Sequence, residues 1–290
     1  MTWLTLLPAA ITLGLSIALG RFPLPLHPLW TSRVLCTVAA MTALATVGTF
    51  LFVAVNYWAT LWPDAANRLP EWTLFGDDVP VPTPLGVAAV VLLAASLVTA
   101  VRLAVRWVAE VRAAQGVSLL QTDVPMALAV PGRRGGVLVS RGLMAALTPA
   151  ELGVVLQHEG SHLRHAHHRY LALGALAAGV LPPLRSLNER MRFALERWAD
   201  EDAAEAVGDR ELVARTIARV ALLQPRRPEP GPMGAFADSG VVRRVEALMD
   251  RAPDRNPIVG PVSLLSTTLV TGALALVALQ IDRAFHLTFI

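Results

Sequence analysis

No lysine occurs in this chain of 290 residues; all 25 basic residues are arginine. That absence removes lysine-dependent chemistry, including Schiff bases, phosphate-binding loops with a lysine and serine–lysine acyl-enzymes. Cysteine is nearly absent too. Cys36 stands alone, so a scaffold of internal disulfides is excluded. Charge is scarce, at 16% of residues against roughly a quarter in ordinary soluble domains. Hydrophobic residues make up 54% and the mean hydropathy is +0.52, which excludes intrinsic disorder. The net charge of +3 is small, so the placement of the arginines matters more than their sum. The composition is that of a membrane protein.

Four stretches are long and apolar enough to cross a bilayer as helix, which takes about 20 residues. Residues 1–20 carry no charge and lack both the basic start and the cleavage site of a signal peptide, so they are expected to stay as a span. Residues 34–62 are uncharged. Residues 79–101 are uncharged and continue into Arg102 and Arg106, four apart, which can snorkel from one face. Residues 258–281 are uncharged and end at Asp282 and Arg283. Arg21 and Arg33 mark the first connection as cytoplasmic. Residues 63–78 hold Asp64, Glu71, Asp77 and Asp78 against Arg68, with Trp62 and Trp72 suited to the outer interface. Arg102, Arg106 and Arg112 follow the third span, and Arg251 and Arg255 precede the fourth. The expected architecture is therefore mainly α and integral to the membrane. Residues 1–112 hold three spans, 113–257 a cytoplasmic α+β domain with its own core, and 258–290 the fourth span and a short tail.

Within the insert, residues 126–130 and 137–140 read as two short strands around Pro131-Gly132 and Gly135-Gly136. Thr148-Pro149-Ala150-Glu151 is a capping box with proline at the first helical position. The helix it starts is expected to run to about Tyr170. Residues 171–184 are too short to span, and Pro182-Pro183 ends them; they should pack in the domain or lie against the bilayer. A further helix over 186–206 carries Glu189, Glu196 and Asp200. Residues 225–232, with four prolines, read as a loop.

The capped helix contains His158-Glu159-Gly160-Ser161-His162. Residues four apart share a helical face, so both imidazoles can bind one zinc ion. Glu159 lies about 100° round, where it can serve a water rather than the metal and act as general base. A catalytic zinc needs a third protein ligand, and two candidates compete. His168 completes the spacing H-E-x-x-H-x-x-G-x-x-H, but His165 replaces the glycine, and on a continuing helix His168 points roughly 80° from His158 and about three turns along. Glu196, on the next helix, supplies a carboxylate, with Asp200 one turn later to orient an imidazole; the competing reading makes Glu196 a solvated acid beside Glu201, Asp202 and Glu205. His165 can reach no further than a supporting contact. His167 and His168 are expected to face solvent or headgroups, and Glu151 only to cap.

Taken together, these residues resemble the membrane-embedded gluzincin peptidases: the HtpX-like proteases, the prenyl-protein (CAAX) proteases and the BlaR/MecR-type antirepressor peptidases. The matching run spans Ala129 to Ser140, Leu147 to Leu152 and His158 to His165, and continues in Glu196-Arg-Trp-Ala-Asp200 and Arg244-Val-Glu-Ala-Leu248. Three spans before the insert and one after look most similar to the BlaR/MecR type. No penicillin-binding sensor module follows the fourth expected span, so direct acylation by a β-lactam does not carry over. Where these families carry an aspartate shortly after the second histidine, this chain has His167.

The resemblance implies Zn2+ held by His158, His162 and Glu196, with Glu159 as the base and Asp200 supporting a ligand. It implies a protein substrate added as a strand along Met126, Ala127, Leu128, Ala129 and Val130. No histidine accompanies Arg244, so Arg243, Arg244 and Tyr170 are the candidates for oxyanion or substrate contacts. The expected function is zinc-dependent endopeptidase activity at the plasma membrane, multi-pass with a cytoplasmic site. A transcriptional repressor is the expected kind of substrate, and the expected partners are that protein and the lipid bilayer, with no direct nucleic-acid contact. Broad quality control of membrane proteins is the alternative within the enzyme class. The non-enzymatic alternative is a signalling or scaffold protein stapled by a closed four-ligand zinc site, with His165 or another side chain completing it.

Overall fold

The computed structural model describes residues 6–66, 80–116, 122–132, 135–223, 232–254 and 258–270. The chain is mainly helical. Helix α1 covers Leu7–Arg21, α2 Pro28–Leu61, the short α3 Pro63–Ala66 and α4 Thr83–Gly116. Proline near the first position starts both α1 and α2, where its missing N–H costs nothing. Hydroxyls along these apolar helices bond back to carbonyls one turn earlier: Thr12 to Pro8 at 2.7 Å, Ser32 to Pro28 at 2.8 Å and Ser96 to Leu92 at 2.7 Å. Between α1 and α2, Ser16 Oγ and Thr42 Oγ1 lie 2.7 Å apart, both buried.

Among the described residues, two helices are long and apolar enough to cross a membrane, Pro28–Leu61 and Thr83–Ala109. They contain most of the second and third expected spans. The first and fourth appear as the shorter apolar helices Leu7–Arg21 and Val259–Val270, the latter designated α11; residues 1–5 and 271–281 of those spans lie outside the described residues. So do Arg68, Glu71, Trp72, Asp77, Asp78 and Arg255, on which part of the expected orientation rests. The flank of α4 is open: Val91 is 59% exposed, Leu97 65% and Val105 63%. A continuous exposed stripe of this kind marks a surface made for lipid or a partner.

Strand β1, Ala127–Val130, pairs antiparallel with β2, Gly136–Val139, in the register Ala127↔Val139 to Val130↔Gly136. The strand is one residue shorter than expected at Met126. The Ser140 N–H still donates to the Met126 carbonyl at 2.9 Å, so Leu128 and Val130 are the residues bonded across the ladder. The N–H and C=O groups of Ala127 and Ala129 therefore point to the free edge. Helix α5, Arg141–Ala146, follows, capped by Ser140, whose Oγ accepts from Leu143 N at 3.1 Å. Then come α6 Pro149–Arg164, α7 His167–Val180, a 3-10 turn Pro182–Leu184, α8 Arg185–Val207, α9 Arg210–Leu223 and α10 Pro232–Met249. Residues 225–231 of the expected proline loop lie outside the described residues, and Pro232 instead opens α10.

The expected single helix from Pro149 to Tyr170 is broken. His165 leaves helical geometry and Ala166 adopts φ 50°, ψ 43°, the left-handed region that costs an L-residue roughly 1–2 kcal/mol. Helix α7 restarts at His167 on a new axis. It packs against α2 and α4, while α8 crosses α2 and α1. Val34, Leu35 and Val38 of α2 share one core with Ala177 of α7 and Leu187, Met191, Leu195 and Trp198 of α8. Packing thus runs across the sequence boundary at 112/113 in this cluster, beside others built from insert residues alone. The far end of α8, through Ala203 and Ala204, packs separately with Val154, Val213, Ala214 and Leu248.

Candidate metal centre

The first histidine pair stands on α6, whose start is fixed by the capping box. Glu151 N–H donates to Thr148 Oγ1 at 3.3 Å, and Thr148 N–H donates to Glu151 Oε2 at 2.8 Å. Glu151 does more than cap, because Arg219 of α9 also donates to it at 2.8 Å. Two turns further on, His158 and His162 project from one face. Their Nε2 atoms are 3.2 Å apart.

Helix α8 brings the carboxylates. It is tied to α6 by Asp202, whose Oδ2 accepts from Ser161 Oγ at 2.7 Å and lies 2.8 Å from His165 Nε2. That anchor sets Glu196 beside both histidines, with its oxygens 3.5 Å from His158 Nε2 and 3.7 Å from His162 Nε2. Donor atoms of His158, His162 and Glu196 all lie within 4.8 Å of one another. Tetrahedral ligation at about 2.0–2.1 Å separates ligand atoms by roughly 3.3–3.4 Å. Two imidazoles and a carboxylate at these spacings fit zinc. His168 is not part of the group; its ring stacks on Trp107 of α4 at 6.4 Å between centroids.

The nitrogens facing away from this point are held as well. His158 Nδ1 is 3.0 Å from Asp200 Oδ1, in an ion-pair contact off the line of a well-formed hydrogen bond. His162 Nδ1 lies 2.8 Å from His167 Nδ1. His167 is therefore not turned to solvent: it is fully buried. On an unbroken helix it would have pointed elsewhere, and the left-handed Ala166 is what swings it back. His165 is spent on Asp202 and is not a fourth ligand.

Asp200, itself fully buried, also receives Arg244 of α10 through two bonds, Nε to Oδ2 at 2.8 Å and Nη2 to Oδ1 at 2.7 Å. Arg244 Nη1 is 3.0 Å from Glu196 Oε2. A planar fork matched to a carboxylate in this way is the strong form of the contact. Of the three expected oxyanion or substrate contacts, Arg244 alone lines the cavity of about 190 Å³ beside His158, Glu159 and Glu196. Arg243 lies over the Phe193 ring at 4.6 Å, and Tyr170 packs on His167 and Trp198. The adjacent arginine turns to Phe193 of α8, and Tyr170 sits behind His167.

Burial and charge set the protonation states. Burial opposes charging His158, but Asp200 and Glu196 outweigh it and push the imidazole up to about 10. His162 is pushed down to about 4, chiefly by burial. His167 is pushed down to about 3, by burial and then by His162 and His165. Burial opposes ionisation of Glu196 and Asp200, yet His158 and Arg244 hold both below the usual carboxylate range. Glu159 goes the other way: burial raises it, Glu196 adds to the rise, and His158, the Ala129 N–H and Arg244 oppose it. The Ala129 amide belongs to the free edge of β1, so this edge runs directly past Glu159. Of the other residues on the expected substrate strand, Ala127 lines the cavity, Val130 is buried, and Met126 and Leu128 are exposed.

His167 was missed in the sequence because nothing in Leu163-Arg-His-Ala-His167 signals a helix break. The α9 wall of the cavity was missed because Thr216, Ile217, Val220 and Ala221 carry no catalytic or metal-binding signature.

The geometry defines a two-histidine, one-carboxylate centre with a half-buried glutamate beside it. The sequence profile of Peptidase family M48 matches residues 109–181, about a quarter of the chain, including both histidines and stopping before Glu196. That match supports a metallopeptidase of the M48 family. No curated protein and no solved structure matches the chain.

Proposed function

We propose that this chain is an integral-membrane zinc endopeptidase with His158, His162 and Glu196 as metal ligands and Glu159 as the proton-transferring group. The observation that carries the reading is the gathering of donor atoms from His158, His162 and Glu196 within 4.8 Å of one another, with the half-buried Glu159 on the wall of the adjoining cavity. Zinc, when bound, supplies a Lewis acid that polarises the scissile carbonyl and brings the pKa of water near 7. Glu159, with its affinity for a proton raised by burial, takes one proton from the attacking water and delivers it to the leaving nitrogen. Asp200 orients His158 and anchors Arg244, whose guanidinium faces the cavity as the charge available to a developing oxyanion. The free edge of β1 offers the Ala127 carbonyl and N–H to an extended substrate, as in strand addition.

The apolar α2 and α4, the open flank of α4 and the arginines at 102 and 106 support a membrane location with the site on the cytoplasmic side. The resemblance to BlaR/MecR-type peptidases supports a cytoplasmic protein, such as a transcriptional repressor, as substrate. A cavity beside Glu159, together with the commitment of His165 to Asp202, favours catalysis over a closed structural zinc site.

The test is Glu159→Gln in the full chain. It should keep zinc and lose cleavage of the cellular substrates identified by comparing the proteomes of wild-type and variant cells. Undiminished cleavage by the variant overturns the assignment.

A further inference from the structure

We infer that the seam between α4 and α7 binds the phosphate-bearing headgroup of an anionic phospholipid, through Arg102 and Arg106 of α4 and Arg169 of α7. The inference rests on the membrane reading and is independent of the peptidase one.

Charge pairing sets these three arginines apart. Arg141, Arg197, Arg210, Arg215, Arg219 and Arg244 each meet a carboxylate. Arg102, Arg106 and Arg169 are exposed, and among the described residues none of them has an ion-pair partner. A guanidinium is a planar, weakly hydrated cation whose forked N–H groups match a phosphate.

Helix contacts bring the three together. Gly179 of α7 lies so close to α4 that a Cβ there would stand 2.7 Å from Leu103 Cδ1 and 3.4 Å from Thr99 Cγ2. Near the other end of α7, His168 stacks on Trp107 with the ring planes 14° apart. Thr99, Leu103 and Trp107 are spaced by four, so they form one face of α4. His168 and Gly179, about three turns apart, likewise share a face of α7. Arg102 and Arg106 precede Leu103 and Trp107 by one residue, and Arg169 follows His168 by one. Each therefore stands about 100° round from a contact face, flanking the seam rather than entering it.

Their depth is that of the headgroups. About 20 apolar residues of helix fill the hydrocarbon layer, and α4 reaches Arg102 after the uncharged residues 83–101. From Arg102 to Arg106 the helix advances about 6 Å, which fits a headgroup layer roughly 5–7 Å thick. Trp107, exposed beside them, is the residue type favoured at that boundary. Apolar side chains continue the same faces toward the bilayer. Val98 lies one turn before Arg102, and Leu176 lies two turns after Arg169; both are exposed. An acyl chain can lie along these residues while its phosphate meets the arginines. An acidic protein segment would match the charge but not the apolar surface beneath it.

The test places the full chain in phosphatidylcholine nanodiscs. These are doped with phosphatidylglycerol brominated on its acyl chains, or with brominated phosphatidylcholine as the neutral probe. Quenching of Trp107 is read as the difference between wild type and Trp107→Phe, each with and without Arg102→Gln, Arg106→Gln and Arg169→Gln, singly and combined. Melting temperature and zinc content show which variants are folded. Half-quenching by phosphatidylglycerol should need roughly a hundredfold less lipid than by phosphatidylcholine. Each single arginine variant should cut that preference about fivefold, and the triple variant should abolish it. Equal quenching by the two lipids overturns the site and leaves the membrane reading standing. So does a preference that the folded variants keep in full, which places the anionic lipid elsewhere. Recovery of the chain free of lipid and soluble without detergent overturns the membrane reading, and the site with it.

Discussion

His167 Nδ1 sits 2.8 Å from His162 Nδ1, so one imidazole supports another where a carboxylate would ordinarily stand. To present Nε2 to a metal, His162 must carry its proton on Nδ1 and donate it to His167. His167 then carries its own proton on Nε2, which is buried without a partner. A neutral acceptor and an orphan N–H make this a weaker support than an aspartate.

Replacing that imidazole should therefore show in metal affinity. His167→Ala is expected to weaken zinc binding by about 10–100-fold. His167→Asp accepts the same proton without leaving an orphan donor and should bind zinc at least as tightly as wild type. Competition against a chromophoric chelator measures both. Equal affinities for wild type and His167→Ala would show that the contact does not support the ligand.

Zinc affinity should also depend on pH, and the two ligand histidines contribute unequally. His162, pushed down to about 4, is neutral and ready at pH 7. His158, pushed up to about 10, is protonated at pH 7 and must shed its proton before it can ligate. Apparent affinity should rise about tenfold per pH unit between pH 7 and 9 and level off near 10, with about one proton released per zinc. Calorimetry in buffers of different ionisation enthalpy counts that proton.

In the metal-free protein the same shift runs the other way for stability. A folded-state value raised above the ordinary 6.5 means that the pairing of charged His158 with Asp200 and Glu196 is fully present below about pH 6.5. It is lost progressively as pH climbs to about 10. Thermal unfolding in the presence of a chelator should give a falling melting temperature across that window, and the fall should shrink in His158→Gln.

Arg244 can be tested by leaving Asp200 alone. Asp200 is completely buried and takes two bonds from the guanidinium. Arg244→Met strands that carboxylate and should cost about 3–5 kcal/mol of stability. The double variant Arg244→Met with Asp200→Leu should recover a large part of the loss while remaining inactive. Chemical denaturation of the three proteins in detergent separates these outcomes.

Much of this centre was legible from residue order alone. The capping box from Thr148 to Glu151, the helical pair His158 and His162, and the E-x-x-x-D spacing of Glu196 and Asp200 are local patterns, and local hydrogen bonds and helical periodicity express them directly. Two features were not legible. The break at Ala166 uses an alanine in the left-handed region, which has no glycine or proline to announce it and is held by the surrounding contacts. The burial of His167 follows from that break. The other is the sharing of a core between α2 and α8, since charge marks where a chain leaves a bilayer but not what packs on it afterwards.

That shared core has a practical and mechanical outcome. Excising residues 113–257 would strip Leu187, Met191, Leu195 and Trp198 of their neighbours on α2 and leave a greasy scar on the same helix that carries Glu196. Such a fragment would clump in water, so biochemical work needs the hydrophobic helices kept in place. For the same reason the helix that carries Glu196 is bolted to its support, and whatever engages the site must be brought up to it.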